Sequence, residues 1–254
     1  MAHRFFLIGP MPAEPDQPLA LSPGDVHHAV RVLRVRPGEL VEVVAPGGEA
    51  MSAQVVSAGD EGVVVSVLGP VSGPSQRLPR VTLFQGVAKG EKMDAIVRQA
   101  VEVGAEEIVA VMTARTVVRF DAAKRISRGE RWQRIAKSAA EQAKRSSVPS
   151  VSEPMDFGEA LALLDGYQRV VVLWEESRGS GLAEALAGLA GEVDVRVALV
   201  VGPEGGLAAE EVDALVAYGA VEASLGPTVL RTETAAVVSL ALAIAALGGM
   251  GGSE

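Results

Sequence analysis

Hydrophobic positions along the chain change rhythm near residue 80. Before it they alternate. The runs 4–8, 40–44, 52–56 and 62–67 are short and β-branched, and turn residues such as Pro46-Gly47-Gly48 and Gly59-Asp60 separate them. That pattern predicts the strands of a small β-barrel, with one helix over 23–33 opened by Ser22 as its N-cap. Beyond residue 80, nearly continuous apolar runs at 81–87, 107–112, 169–174, 195–201 and 221–225 alternate with helical periods at 92–103, at 123–145, from about 208, and at 235–247. Apolar strands separated by helices indicate a mostly parallel sheet covered on both faces, so the second part of the chain reads as α/β. The stretch 69–75, rich in glycine, proline and serine, breaks both rhythms. Domains are therefore expected at 1–72 and 80–254, with a linker at 73–79.

The densest pattern lies at 200–247. The strand at 195–201 ends in Gly202-Pro203-Glu204-Gly205-Gly206, and a helix follows with Glu210 and Glu211 in its first turn, Val212, Leu215 and Val216 as its apolar stripe, and Gly219 as its stop. A second strand leads into Gly226-Pro227-Thr228-Val229-Leu230-Arg231-Thr232-Glu233-Thr234 and then into an almost wholly apolar helix, which must be buried. Two Gly-Pro loops at strand ends are either the walls of one pocket or two tight turns without a ligand. Spacing alone does not separate these readings.

Composition narrows the chemistry. An apolar fraction of 48% suffices for a packed core, and the last helix falls short of the roughly 20 apolar residues a bilayer demands. No apolar leader follows Arg4, so a soluble cytoplasmic protein without membrane partners is expected. The chain has no cysteine, and its only histidines are His3, His27 and His28. Thiolate catalysis and cysteine-held metals are excluded, as is a histidine-based acid–base or metal site in the C-terminal half. The dinucleotide fingerprint GxGxxG and the GxxxxGK[ST] phosphate loop are both missing.

The net charge of −9 suits no nucleic-acid binder, but residues 115–145 carry a local +7, against −4 before and −12 after. Lys124, Arg128, Arg131, Arg134 and Lys137 on the helix at 123–145 are either phosphate contacts or a solvated face paired with the acidic remainder. With nine aromatic residues in the chain, base stacking is not expected to dominate any RNA contact.

The strings GPEGGL, with a glutamate four positions on, and LGPTVLRTETA resemble the two signature loops of the RsmE family of ribosomal RNA methyltransferases, members of the SPOUT superfamily. Gly90-Glu91-Lys92-Met93, the stretch from Glu141-Gln142 to Arg145 and the segment 28–38 match the same pattern. The resemblance implies a SPOUT-type knotted α/β domain with a mostly parallel sheet, preceded by a PUA-like β-barrel that holds RNA. It implies S-adenosyl-L-methionine as cofactor, 16S ribosomal RNA or the small ribosomal subunit as partner, a homodimer, and no metal. The reaction it implies is methylation of N3 of a uridine; a sister SPOUT enzyme acting on ribose or another base, or a non-catalytic ribosome-assembly factor, are the alternatives.

Carried onto this chain, the cofactor would lie against Leu173, Trp174 and Glu175 at the end of one strand. The first loop would add Val201, Gly202, Pro203, Glu204, Gly205 and Gly206, and the second Leu225, Gly226, Val229, Leu230, Arg231, Thr234 and Ala235. Arg231 and Glu233 are the catalytic candidates, as carbonyl-polarising cation and general base. If Thr232 opens the last helix these two do not face each other, and Arg231 pairs instead with Glu204 across the pocket. Arg4, Arg31, Arg34, Arg36, Lys89, Arg115, Arg119 and Arg145 are the RNA-contact candidates.

Overall fold

The structure, a computed structural model, describes residues 2–12, 18–71, 78–177, 179–192 and 194–250. The chain divides into two compact units, Met1–Ser75 with Ala140–Val148, and Gln76–Ala139 with Pro149–Glu254. The expected domain 1–72 thus lacks a segment that returns to it from far along the chain. Of the expected linker, residues 73–77 lie outside the described residues.

The first unit contains β1 (His3–Phe6), β2 (Pro18–Ala20), α1 (Pro23–His27), a π-helical turn (His28–Leu33), β3 (Leu40–Val44), β4 (Ala50–Gly59) and β5 (Gly62–Pro70). The strands form one sheet in the order β1-β3-β4-β5-β2, in which β1 and β3 are parallel and the other pairs antiparallel. The expected small PUA-like β-barrel domain is thus built on a five-stranded mixed sheet, whose outer strands β1 and β2 do not pair with each other among the described residues. Val41, Val43, Ala53, Val55, Val63, Val65 and Val67 alternate inward and pack with Phe5, Ala29 and Val35. Ser22 caps α1 as expected, accepting from the Asp25 amide at 3.2 Å. The helix does not run on regularly to Leu33. It widens into the π turn and closes with Arg34 at φ 56°, which lets Ala29 and Val35 both reach the core.

Arg4 proves to be part of this unit's frame. Its Nε donates to Glu42 at 2.8 Å and its Nη1 to the carbonyls of Lys144 and Arg145 at 2.6 and 2.8 Å, and Lys144 completes the cluster with its ammonium on Glu42 at 3.0 Å and on the Ala2 carbonyl. With its side chain only 8% exposed, Arg4 is withdrawn from the RNA-contact candidates. Burial alone would raise the Glu42 pKa, but the hydrogen bonds and charges of Lys144 and Arg4 outweigh it and hold the carboxyl below its ordinary value.

The second unit contains β6 (Arg80–Gly86), α2 (Lys92–Val103), β7 (Glu107–Met112), most of α3 (Ala122–Gln142), β8 (Ser150–Val151), β9 (Met155–Asp156), α4 (Phe157–Ala162) with a 3₁₀ turn after it, β10 (Arg169–Leu173), α5 (Leu182–Ala185), β11 (Arg196–Val201), α6 (Ala209–Ala217), β12 (Val221–Ala223) and α7 (Thr232–Ala246). The sheet is parallel in every pair, in the order β12-β10-β11-β6-β7-β8, with β9 also on β7. Phe84, Val109, Val170, Val172, Ala198 and Val200 form one core with Ala160 of α4 and with Leu207, Val212 and Leu215 at and in α6. On the other face α7 lies against β6, β11 and α2, burying Ala236, Leu240, Ala243 and Ile244.

Helix α2 is held to α3 by a buried polar clamp. Asp94 accepts from Arg131 Nε at 3.0 Å and from Trp132 Nε1 at 3.2 Å. Arg125 likewise pairs with Asp156 at 2.7 Å. Part of the basic face of α3 is therefore engaged within the protein.

Candidate functional site

Because the strands are parallel, the carboxyl ends of β10, β11 and β12 share one edge of the sheet, and from β10 the chain passes to β11 on one side and then to β12 on the other. Such a reversal of strand order opens a crevice where loops diverge. Here the two Gly-Pro loops fill that edge. The first, 202–206, rests on the end of β6 so closely that a Cβ on Gly86 would stand 2.5 Å from Pro203 Cδ. Gly206, at φ 71°, lies against the Glu175 carboxylate, where a side chain would collide with it. The second loop ends in Thr232, whose hydroxyl donates to the Gly202 carbonyl at 2.6 Å and accepts from the amide of buried Gln85 at 2.9 Å. This junction of β6, the first loop and the start of α7 fixes both loops on one rigid base.

Between the loops lies a cleft of about 270 Å³, close to the lower end, roughly 300 Å³, of small-molecule sites. Its walls include Leu173, Trp174, Glu175, Val201, Gly202, Pro203, Glu204, Gly206, Leu225, Gly226, Val229, Leu230, Arg231 and Ala235. Two expected cofactor contacts lie off it, as does the catalytic candidate Glu233. Gly205 is exposed, with Arg115 Nη1 donating to its carbonyl at 3.0 Å, and Thr234 is exposed two positions after Thr232, on a different face of the helix. The cleft also takes in Lys92, Ala223, Ser224, Pro227, Thr228 and Thr232. Apart from Lys92 and Ala223, these could have been found by including every residue of the second loop and the one before it.

Helix α7 begins at Thr232, with Arg231 in the N-cap position, so Arg231 and Glu233 do not face each other. The expected partner of Glu204 is replaced. Glu204 lies 3.5 Å from Lys92 Nζ, which also stands 3.2 Å from Glu233 Oε2. The Glu233 carboxyl is held below its ordinary value first by its own backbone amide at the helix start; burial opposes this, and Lys92 and then Arg231 add to the lowering. Glu204 accepts in addition from the Lys89 amide at 3.2 Å.

The remaining RNA-contact candidates divide between the units. In the first, Arg31 is exposed but paired with Asp60 at 2.7 Å, Arg34 and Arg36 are exposed beside the π turn, and Arg145 is half-buried. In the second, Lys89, Arg115 and Arg119 are exposed.

The cleft fits a cofactor that needs backbone contacts, an apolar slot and compensation of positive charge. S-adenosylmethionine is such a molecule, with Glu175 and Glu204 available for its cationic end. Residues 75–244 match the family model described as RNA methyltransferase domain, and residues 21–68 match that of the RNA methyltransferase PUA domain. The chain is 33% identical over 219 residues, 85% of each chain, to ribosomal RNA small subunit methyltransferase E of Bacillus subtilis. It is 38% identical over 218 residues to the protein of that name from Mycobacterium tuberculosis, covering 84% of this chain and 80% of that one. The crystal structure of ribosomal RNA small subunit methyltransferase E from Neisseria gonorrhoeae bound to S-adenosyl methionine superposes with a TM-score of 0.80 at 28% identity, covering 95% of this chain and 96% of that one. The chain belongs to the ribosomal RNA small subunit methyltransferase E family.

Proposed function

We propose that the protein methylates N3 of a uridine in 16S ribosomal RNA of the small subunit, using S-adenosyl-L-methionine. The observation that carries this reading is the cleft walled by both motif loops and by the end of β10, with Arg231 in its wall and Glu233 held to it through Lys92. Leu173, Leu225 and Leu230 supply apolar walls, and Gly202, Gly206 and Gly226 leave main chain accessible for hydrogen bonds to an adenine or ribose. When bound, the cofactor supplies an electrophilic methyl group.

N3 of uracil is protonated at neutral pH, and its lone pair becomes nucleophilic only as the proton leaves. The N3–H bond is replaced by N3–CH₃, and the proton passes to a carboxylate or to water. Glu233, ionised throughout the neutral range, is always in the accepting form, and general-base help of this kind contributes roughly 10²–10⁴-fold. Its low affinity for protons limits the drive for transfer, so holding and orienting N3–H is as large a part of its role. Arg231 donates to a uracil carbonyl as negative charge spreads to oxygen. Positioning nitrogen and methyl in line contributes at best about 7–11 kcal/mol.

RNA is gripped through Arg31, Arg34, Arg36 and Arg145 of the N-terminal unit and Lys89, Arg115 and Arg119 of the catalytic one. The protein acts in the cytoplasm as a homodimer. Support for the dimer comes from α7, which keeps Leu242 exposed and Val238 and Ala241 half-exposed although it is apolar all round. Sedimentation of a monomer at micromolar concentration would remove the dimer.

The deciding experiment incubates the protein with isotopically labelled S-adenosylmethionine and unmethylated small subunits, followed by digestion and mass spectrometry of the nucleosides. Label in 3-methyluridine is expected. Label elsewhere indicates a sister activity, and none despite cofactor binding indicates a wrong substrate state or an assembly factor. Glu233→Gln should lose turnover while retaining cofactor binding, Arg231→Ala should lose turnover even at saturating cofactor, and unchanged turnover removes that residue from the mechanism.

A further inference from the structure

We propose that Lys92 is a positioning residue of the transfer site, an ionic pin between the two Gly-Pro loops that sets the Glu233 carboxylate. The inference rests on the reading of Glu233 given above. Lys92 is the first residue of α2, lines the cleft, and places its ammonium 3.5 Å from Glu204 Oε1 in the first loop and 3.2 Å from Glu233 Oε2 at the second. Its base is rigid. Met93, Ile96 and Val97 beside it are buried, and Asp94 is gripped by Arg131 and Trp132.

Two carboxylates brought to the same cleft repel unless a cation lies between them. A lysine ammonium is a compact charge with three donors on a flexible stem, able to serve both. The fold does not depend on this contact, because Gln85, Thr232 and Gly202 already join β6, the first loop and α7 by buried hydrogen bonds. The effect of the pin therefore falls on the Glu233 carboxylate, which Lys92 ties to the cleft wall. Glu233 is faced by Lys92 from α2 and by Arg231 from the second loop, with Glu204 beyond Lys92.

The test compares Lys92→Met, Lys92→Arg, Glu204→Gln and Glu233→Gln in the full-length protein. It measures kcat and KM on unmethylated small subunits across pH, S-adenosylmethionine affinity by calorimetry, and thermal melting as a check of folding. For Lys92→Met the expected result is a kcat lower by up to about a hundredfold, the scale of a misplaced reacting group. Cofactor affinity should change far less, and the acid limb of the pH–rate profile should move to higher pH because Glu233 has lost a stabilising cation. Lys92→Arg should restore the limb. Glu204→Gln, which leaves Lys92 to Glu233 alone, should move the limb the other way. A folded Lys92→Met variant with wild-type kcat and an unmoved limb overturns the pin. If Glu233→Gln itself turns over at the wild-type rate, the reading of Glu233 fails and the pin with it. If Glu233→Gln is inactive while Lys92→Met is unaffected, the pin alone fails.

Discussion

Replacing Gly86 by alanine tests whether the cleft depends on the seating of the first loop. The added Cβ would stand 2.5 Å from Pro203 Cδ and N and 2.9 Å from Gly202 C. Carbon atoms prefer separations of about 3.5–4.0 Å, so the overlap is about 1 Å and both sides of it are main chain or proline ring. β6 cannot retreat, because it is paired with β11 on one side and β7 on the other. The loop must move. Overpacking of this kind costs about 1–3 kcal/mol. If the bound state alone bears that cost, cofactor affinity falls about 5- to 150-fold. If the fold bears it, the melting temperature falls by about 2–12 °C. Calorimetric titration with S-adenosylmethionine, paired with thermal denaturation, measures both. Gly158→Ala is the control, since its Cβ meets open space in α4, and it should be neutral or stabilising by about 0.5–1 kcal/mol. A Gly86→Ala variant that binds the cofactor and melts like the parent would refute the reasoning.

Glu42→Gln should cost about 2–4 kcal/mol in urea denaturation at pH 7, because it strips Arg4 and Lys144 of a shared, largely buried carboxylate. The folded-state pKa of Glu42 is lowered, so its contribution is fully present above the unfolded value and disappears as pH falls through the folded one. The difference between parent and variant should therefore shrink on acidification below the ordinary carboxylate range. Asp94→Ala leaves buried Trp132 Nε1 and the Arg131 guanidinium without their acceptor and should destabilise by about 2–3 kcal/mol in the same assay. Asp94→Asn, which keeps an acceptor, should lose less. Arg34→Gly relieves a left-handed arginine and should stabilise by about 1 kcal/mol. Filter binding across a salt series should show weaker RNA affinity for this variant, with a salt slope lower by about one; unchanged affinity would exclude Arg34 from the interface.

What the sequence made legible follows from the range over which each signal acts. β6, β7, β10 and β11 were legible to within a residue or two because each is a near-continuous apolar run. β8, β9 and α5 were not, being two to four residues long and too short to show a period. The apolar pattern of α7 begins only at 235, with Thr232 an open alternative; the helix starts at Thr232, which carries no apolar stripe and is drawn in by Gln85, 147 positions away in sequence. The loop walls of the cleft were legible as glycine-proline strings. Lys92 was not, because its partners lie more than a hundred residues away and its local string reads only as a helix start. The acceptors of Arg4 and Arg131, Glu42 and Asp94, are likewise supplied by other elements, 38 and 37 positions away. Charge counted along the chain cannot tell an arginine open to RNA from one whose acceptor is supplied by another element.

The first signature string shows how tightly architecture and chemistry share residues here. Its distal glutamate, Glu211, is buried, and its two oxygens accept from the Ala114 amide at 2.8 Å and the Ala208 amide at 2.9 Å. Glu211 thus ties the turn that carries Arg115 to the end of the first loop, while Arg115 grips Gly205 from outside. It touches neither the cleft nor the solvent where RNA would lie. Glu211→Ala orphans two amides at about 1–3 kcal/mol each, and loosens the turn and the loop together. Cofactor affinity and RNA affinity should therefore fall together, because one carboxylate holds both the turn and the loop. The acid limb of the pH–rate profile should stay where it is, because no charge near Glu233 has changed. Loss of one affinity with the other intact would show that the turn and the loop move independently, and that Glu211 serves only the start of α6.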